Sequence, residues 1–336
     1  MRIAVCAPQV PFVRGGAEIF SERLVDELRK REHEAELVTV PFKWYPGERV
    51  LTQPFLWRLL DLEEANGRPI DAVIATKWPS YCVRHPNKIV WVLHQFRQAY
   101  ELDRTELGQF SESGEDRALR LAVQRLDRLA LAEARQIFAT SQNVAERLRR
   151  SVGVEAEVMP HPPADLAYRC DAYEDFILSV NRLDRAKRID LLLEAAQRSG
   201  FPVVVAGDGP DRERLESLAN GSVRFAGRVS EEELADLYAR CRAVYYAPVD
   251  EDYGMVPYEA FLSEKPVVTM TDAGGPLDVV TDRATGLVVE PRVEELAEAC
   301  RYLVEHPREA RAWGRAGKAV AERVTWEHAI ERLLAR

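Results

Sequence analysis

Short apolar runs recur along this chain, and their spacing limits the fold more than any other feature. In the first half they are RIAVCA (2–7), AELVTV (35–40), DAVIAT (71–76), KIVWVL (88–93) and QIFAT (136–140). In the second half they are FILSV (176–180), VVVAG (203–207), VRFAG (223–227), AVYYAP (243–248), PVVTM (266–270) and GLVVE (286–290). Runs of Val and Ile without polar alternation are strands buried on both faces. Helix-patterned stretches such as RIDLLLEAAQR and SEEELADLYARC lie between the later runs. Strand–helix alternation predicts parallel sheets with right-handed crossovers. The beat breaks once, at MPHPPADLAYRCDAYED (159–175), where three close prolines make a stiff linker. A chain of 336 residues is long for one core. The expectation is an α/β protein of two doubly wound, Rossmann-like parallel-sheet domains facing across a cleft. The first spans 1–165 and the second 166–324, with an amphipathic terminal helix, 325–336, packing back on the first. Ligands of such sheets bind outside the carboxyl ends of the strands.

Composition removes several classes of function. The net charge of −9 argues against nucleic acid as a partner. The five cysteines, Cys6, Cys82, Cys170, Cys241 and Cys300, lack metal-ligand spacing, so neither disulfides nor zinc are expected. No stretch reaches the roughly 20 apolar residues that span a bilayer. MRIAVCAPQV reads as a strand rather than a signal peptide, which makes a cytoplasmic location the default. Charge is nevertheless uneven. Between Arg117 and Arg150 eight arginines stand against Asp127, Glu133 and Glu146. Arg117, Arg120, Arg125 and Arg128 interleave with Leu119, Val123, Leu126 and Ala130 as on an amphipathic helix. That pattern is either a solvated face or a surface for anionic lipid at a membrane's inner face, or for an acidic acceptor.

Four segments carry the polar residues that chemistry needs. VPFVRGGAEIF places Gly15 and Gly16 ahead of a helix, where backbone can approach an anion. The dinucleotide fingerprint G-x-G-x-x-G and the P-loop are both absent. NRLDRAKRIDLLLEA puts Arg182 and Lys187 in one strand-to-helix turn, a pair able to converge on a pyrophosphate. His94 ends KIVWVLH, and the polar loop QAYELDRTELGQFSESGED (98–116) follows it. The most unusual segment is APVDEDYGMVPYEAF (247–261), with Asp250, Glu251, Asp252 and Glu259 beside a core. Spacing leaves three readings open: a divalent metal site, two glutamates holding hydroxyls, or acidic helix caps. The amides of Gly254, Met255 and Val256 would start a helix that tolerates Pro257 in its first turn.

NRLDRAK, VVVAGDGP, VRFAGRVSEEEL, EDYGMVPYEA, DAGGPLDVV and TGLVVEP together resemble the retaining family 4 glycosyltransferases, in order and in spacing. The likeness covers about residues 176–325, and in the first half it rests on RGGAE and WVLHQ. The family's glutamate pair, with seven residues between, is present as Glu251 and Glu259. The resemblance implies the GT-B fold and transfer of a hexose from a nucleotide diphosphate sugar, with retention and without a metal or other cofactor. It implies that Gly15 and Gly16 line the donor phosphates and that Arg182 and Lys187 neutralise the leaving diphosphate. Glu251 would bind the sugar hydroxyls, the amides of Gly254, Met255 and Val256 the sugar and phosphate, and Glu259 the ribose. Arg228 and Val229 would lie near the base, and His94 would reach the donor sugar. The acceptor would be a glycan, a lipid-linked sugar or a small molecule, with 98–116 as its loop. KRIDLLLEA and EDYGMVPYEA lean toward mannosyltransferases, so the donor is GDP-mannose or a UDP-hexose. A sugar-nucleotide epimerase of the same fold and a non-catalytic nucleotide-sugar binder are the alternatives. Three positions depart from the family pattern: Arg188 where glycine is common, Tyr253 where phenylalanine is, and Asp278 where glutamate is.

Overall fold

The computed structural model describes residues 1–103, 105 and 108–335. Arg104, Glu106 and Leu107 of the 98–116 loop therefore lie outside the described residues. The chain divides into Met1–Pro160 with Trp326–Arg336, and His161–Thr325. The division falls between Pro160 and His161 rather than at 165/166, inside the proline-rich segment.

The first unit contains β1 (Arg2–Gln9), β2 (Glu34–Pro41), a small hairpin of β3 (Glu64–Ala65) and β4 (Arg68–Pro69), β5 (Ala72–Ala75), β6 (Lys88–Val92), β7 (Gln136–Ala139) and β8 (Glu157–Val158). The main sheet is parallel, in the order β2-β1-β5-β6-β7-β8. Order reverses between β1 and β5, so the loops leaving those two strands part and open a crevice at their carboxyl ends. Both faces are covered. Ile3, Val5 and Trp91 pack with Phe20 and Leu24 of helix Gly16–Lys30 and with Ile330 and Leu333 of helix Trp326–Leu334. Ala4, Cys6, Val90 and Val92 pack with Trp57 and Val123 on the other side. This double burial is why these strands read as unbroken apolar runs.

The second unit repeats the plan with β9 (Ile177–Val180), β10 (Val203–Ala206), β11 (Val223–Gly227), β12 (Ala243–Tyr245), β13 (Val267–Met270) and β14 (Gly286–Val289). Its parallel order is β11-β10-β9-β12-β13-β14, which reverses between β9 and β12. All five cysteines are free thiols.

The basic stretch is solvated only in part. Ser113 caps helix Gly114–Ala132 by accepting from the Asp116 amide. Within this helix Arg120 is buried and pairs with Asp103 at 2.7 Å, while Leu121 and Leu129 are exposed. Asp127 is also buried and accepts from the Tyr100 hydroxyl at 2.6 Å. Burial pushes its carboxyl up to about 7, against the pull of that hydroxyl. On helix Gln142–Val152, Arg147 is buried and lies 3.5 Å from Glu101. The 97–103 segment supplies the partners of these three buried charges. Arg117, Arg125, Arg128, Arg135, Arg149 and Arg150 remain exposed. Among the described residues, no helix is long and apolar enough to cross a membrane.

Candidate functional site

The switch point of the second sheet gathers the polar residues singled out above. The loop after β9 carries Arg182 and, on a single helical turn Arg185–Lys187, Lys187. The loop after β12 carries Glu251. Val249 N–H donates to Ala186 O at 2.8 Å, which ties the two loops together. Lys187 Nζ forms an ion pair with Glu251, and Tyr246 Oη donates to Glu251 Oε2 at 3.3 Å. The same ammonium stands 5.5 Å from the Tyr246 ring centroid. Burial alone would lower the Lys187 pKa, but Tyr246 and Glu251 outweigh it and hold the ammonium above its usual range. Lys187 is therefore charged at any ordinary pH. Arg182 is exposed, and its guanidinium has no partner among the described residues. One committed cation and one open cation thus stand in a single turn.

Glu251 is fixed by its backbone as well. Its N–H donates to Ala273 O and its carbonyl accepts from Gly275 N–H, both at 2.8 Å. Gly275 has no room for a side chain there, since a Cβ would come 2.7 Å from Tyr253 Cα. Gly254 is required for a related reason: its φ is +81°, and a Cβ would stand 2.6 Å from Tyr246 Cε1. The left-handed backbone and the packing on Tyr246 each call for glycine here. The amides of Gly254, Met255 and Val256 find no acceptor among the described residues at the start of helix Val256–Leu262. Glu259, on that helix, is buried and accepts from Tyr238 Oη at 2.7 Å. The two glutamates thus occupy different settings, one beside a cation and one beside a phenol. Among the described residues, no three His, Cys, Asp or Glu side chains gather closely enough to hold a metal ion.

Arg188 is the residue that sequence reasoning undervalued. It is left-handed, with φ +51°, a conformation that costs a non-glycine residue about 1–3 kcal/mol. Its fork offsets that cost. The guanidinium donates to Ala247 O, Pro248 O and both oxygens of Asp272, at 2.7–2.8 Å. It clamps the loops after β12 and β13 to the turn that carries Lys187. Arginine in a place where the resemblance leads one to expect glycine is itself a signal that a left-handed residue has gained a compensating bond. Tyr253, the second departure, is buried; it donates to His161 O at 2.6 Å and stacks on Tyr258. Arg228 is well exposed with its Nε 3.8 Å from Asp208, and Val229 is half-buried. Both follow β11, which β10 separates from β9.

At the switch point of the first sheet, Gly15 N–H donates to Glu18 Oε2 at 2.9 Å, and Lys77 Nζ pairs with Glu18 at 2.9 Å. Burial opposes ionisation of Glu18, but Lys77 and the Gly15 amide hold its carboxyl below the usual range. The Gly15 amide is committed within the unit, so of the glycine pair only Gly16 leaves its amide open at the helix start. His94 lines a cavity of about 310 Å³ together with Lys77, Trp78 and Arg97, and its Nδ1 lies 2.7 Å from Gln95 O.

The two parallel sheets, each with a crevice at its reversal, define a GT-B protein. The profile of the "glycosyl transferases group 1" family matches residues 169–320, within the second unit, so this part of the chain is similar to that family. Solved structures share the fold along the whole chain. Sucrose-phosphate synthase from Thermosynechococcus elongatus superposes with a TM-score of 0.80 at 21% identity, covering 99% of this chain and 97% of that one. HepE of Anabaena, in complex with UDP and glucose, gives 0.69 at 17% identity over 100% and 98%. Among curated relatives, human α-1,3/1,6-mannosyltransferase ALG2 is 30% identical over 181 residues, 47% of this chain and 43% of that protein. A GDP-mannose-dependent α-mannosyltransferase of Mycobacterium tuberculosis is 37% identical over 110 residues, 33% and 29% of the two chains. The match spans less than half the length of each of these two curated relatives.

Proposed function

We propose that this protein is a retaining, metal-independent hexosyltransferase that uses a nucleotide diphosphate sugar, with GDP-mannose favoured over a UDP-hexose as donor. The Lys187–Glu251 pair at the β9/β12 reversal, inside the segment that matches the family, carries the reading. The named relatives that use mannose support the donor. In the reaction the bond between the anomeric carbon and the diphosphate oxygen breaks, and the acceptor oxygen bonds to that carbon on the same face. The acceptor proton passes to the leaving phosphate oxygen. Charge grows on the diphosphate as the bond breaks, and a fixed cation there stabilises the transition state more than the ground state. Lys187, Arg182 and the amides of Gly254, Met255 and Val256 take this role. Glu251 holds sugar hydroxyls and Glu259 the ribose, as acceptors for paired O–H groups. Arg228 and Val229 are assigned to the base, and Gly15, Gly16 and His94 to the donor, on family resemblance. The acceptor is a glycan, a lipid-linked sugar or a small molecule. Transfer from an α-linked donor should give an α-linked product by NMR, at an unchanged rate in excess EDTA. A β-linked product would refute retention, and loss in EDTA restored by Mn²⁺ would refute metal independence.

The exposed Arg117, Arg125 and Arg128, with Leu121 and Leu129 standing out from the same helix, support contact with an anionic membrane surface. Vesicles containing phosphatidylglycerol should sediment the protein at low salt and release it as salt rises. Equal binding to neutral vesicles would sink the idea.

A further inference from the structure

Cys170 differs from the other four cysteines. Cys6, Cys82, Cys241 and Cys300 are buried, and burial holds their thiols above the usual range, whereas Cys170 is only half-buried. It lies in the segment that precedes β9. The Asp171 and Ala172 amides donate to Ala239 O at 2.9 and 3.1 Å, which fastens this segment to the end of helix Glu231–Arg240. Against it stands Lys265, which follows helix Val256–Leu262 and has no exposed surface. Lys265 Nζ donates to Cys170 Sγ at 3.3 Å and to Ala172 O, and it lies 3.8 Å from the Tyr173 ring centroid. No carboxylate pairs with this ammonium among the described residues. Lys88, also fully buried, has Glu133 at 3.2 Å.

We propose that Cys170 and Lys265 form an oxidation site, at which a peroxide joins Sγ to Nζ in a covalent cross-link. Distance favours the reaction, because 3.3 Å is already within the roughly 3–3.5 Å that separates well-placed reacting atoms. Access selects the cysteine, because oxidation of thiols follows exposure and four of the five are buried. Charge supplies a drive. A buried ammonium without a carboxylate is costly, and the linked product is neutral. Rigidity holds the pair in place: Lys265 N–H donates to Ala260 O at 2.8 Å, and Tyr173 Oη donates to Glu264 O.

Cys170 Sγ attacks one oxygen of the peroxide, the O–O bond breaks, and a sulfenic acid and water form. Lys265 Nζ releases one proton to solvent and attacks that sulfur. The S–N bond forms and the S–O bond breaks. The hydroxyl leaves as water with a second proton from Nζ. Sulfur is oxidised by two electrons, and the peroxide is reduced by two. A second peroxide can insert one oxygen between sulfur and nitrogen, with loss of one more water. Cys170 and Lys265 are 95 positions apart, so either link restricts the unfolded chain. Both residues belong to one unit, and neither has a role in donor or acceptor binding above, so the proposal is independent of the transferase reading.

The test treats the full chain with hydrogen peroxide, alkylates free thiols, and maps the peptides by mass without reduction. The peptides that contain Cys170 and Lys265 should appear joined, lighter than their sum by two hydrogens, with or without one added oxygen. Dithiothreitol should separate them. The oxidised protein should melt roughly 5–10 °C higher than the reduced one, and dithiothreitol should reverse the gain. Cys170→Ser, at a half-buried position, should give neither the link nor the gain. Lys265→Arg keeps the positive charge and should also give no link. The proposal fails if the two peptides stay separate whatever the oxidation state of Cys170, if Cys170 pairs with Cys241 instead, or if Cys170→Ser shows the same rise in melting.

Discussion

Lys187→Met is expected to lower sugar transfer by roughly 10²–10³-fold, the usual consequence of deleting one preorganised donor to a developing oxyanion. The substitution keeps the stem and removes the charge, so it isolates the ammonium. Without ligand that ammonium is paired with Glu251. On the proposed reading a diphosphate entering the site would compete with Glu251 for it, and the displaced carboxylate would turn to the sugar hydroxyls. This exchange gives Glu251→Gln a distinctive pattern. The amide cannot hold Lys187 by charge, so GDP or UDP should bind a few-fold more tightly. Transfer should nevertheless fall by tenfold or more, because sugar positioning is lost. Nucleotide affinity from calorimetry, set beside the transfer rate, separates the two effects. Unchanged nucleotide affinity in Glu251→Gln would mean that the ion pair does not compete with the donor.

The architecture was legible because burial on both faces writes itself into composition. The apolar runs from RIAVCA to GLVVE coincide with the long strands of both sheets. What escaped was exposed or very short. β8 has both residues exposed, and β3 and β4 are two residues each, so no apolar pattern marks them. The burial of Arg120, Arg147 and Asp127 was not legible, because helical spacing reports one face of one helix. It cannot report that the 97–103 segment supplies partners for charge. At the candidate site, Lys187 and Glu251 are legible as charged residues beside strand ends. Their contact is not, because 64 positions separate them and only the β9–β12 adjacency joins them. Tyr246 was absorbed into an apolar run although its hydroxyl reaches Glu251. Arg188 stood out as a departure, but its value as a clamp depends on two loops that follow it by about sixty residues or more.

Gly207→Ala should be the most damaging single methyl in the second unit's site. Gly207 directly follows β10 with φ +128°, a region that L side chains rarely adopt. A Cβ built there lies 1.8 Å from Asn181 O and 2.9 Å from Asn181 C, both backbone atoms that cannot rotate aside. Gly207 N–H meanwhile donates to Gly227 O at 2.7 Å, and Asn181 N–H donates to Ala206 O at 3.1 Å, so neither chain can slide without losing a bond. Backbone strain of roughly 1–3 kcal/mol and overpacking of roughly 1–3 kcal/mol then act together. A loss on the order of 4 kcal/mol is a large part of the roughly 5–15 kcal/mol that holds a domain folded. The damage is also directional, because Asn181 begins the loop that carries Arg182 and Lys187. Relief by moving that loop would part Lys187 from Glu251. Folded Gly207→Ala protein at low temperature should therefore bind GDP or UDP at least tenfold more weakly, in addition to melting earlier. A variant that melts earlier yet binds nucleotide like the parent would show that the loop keeps its place and that Gly207 serves stability alone.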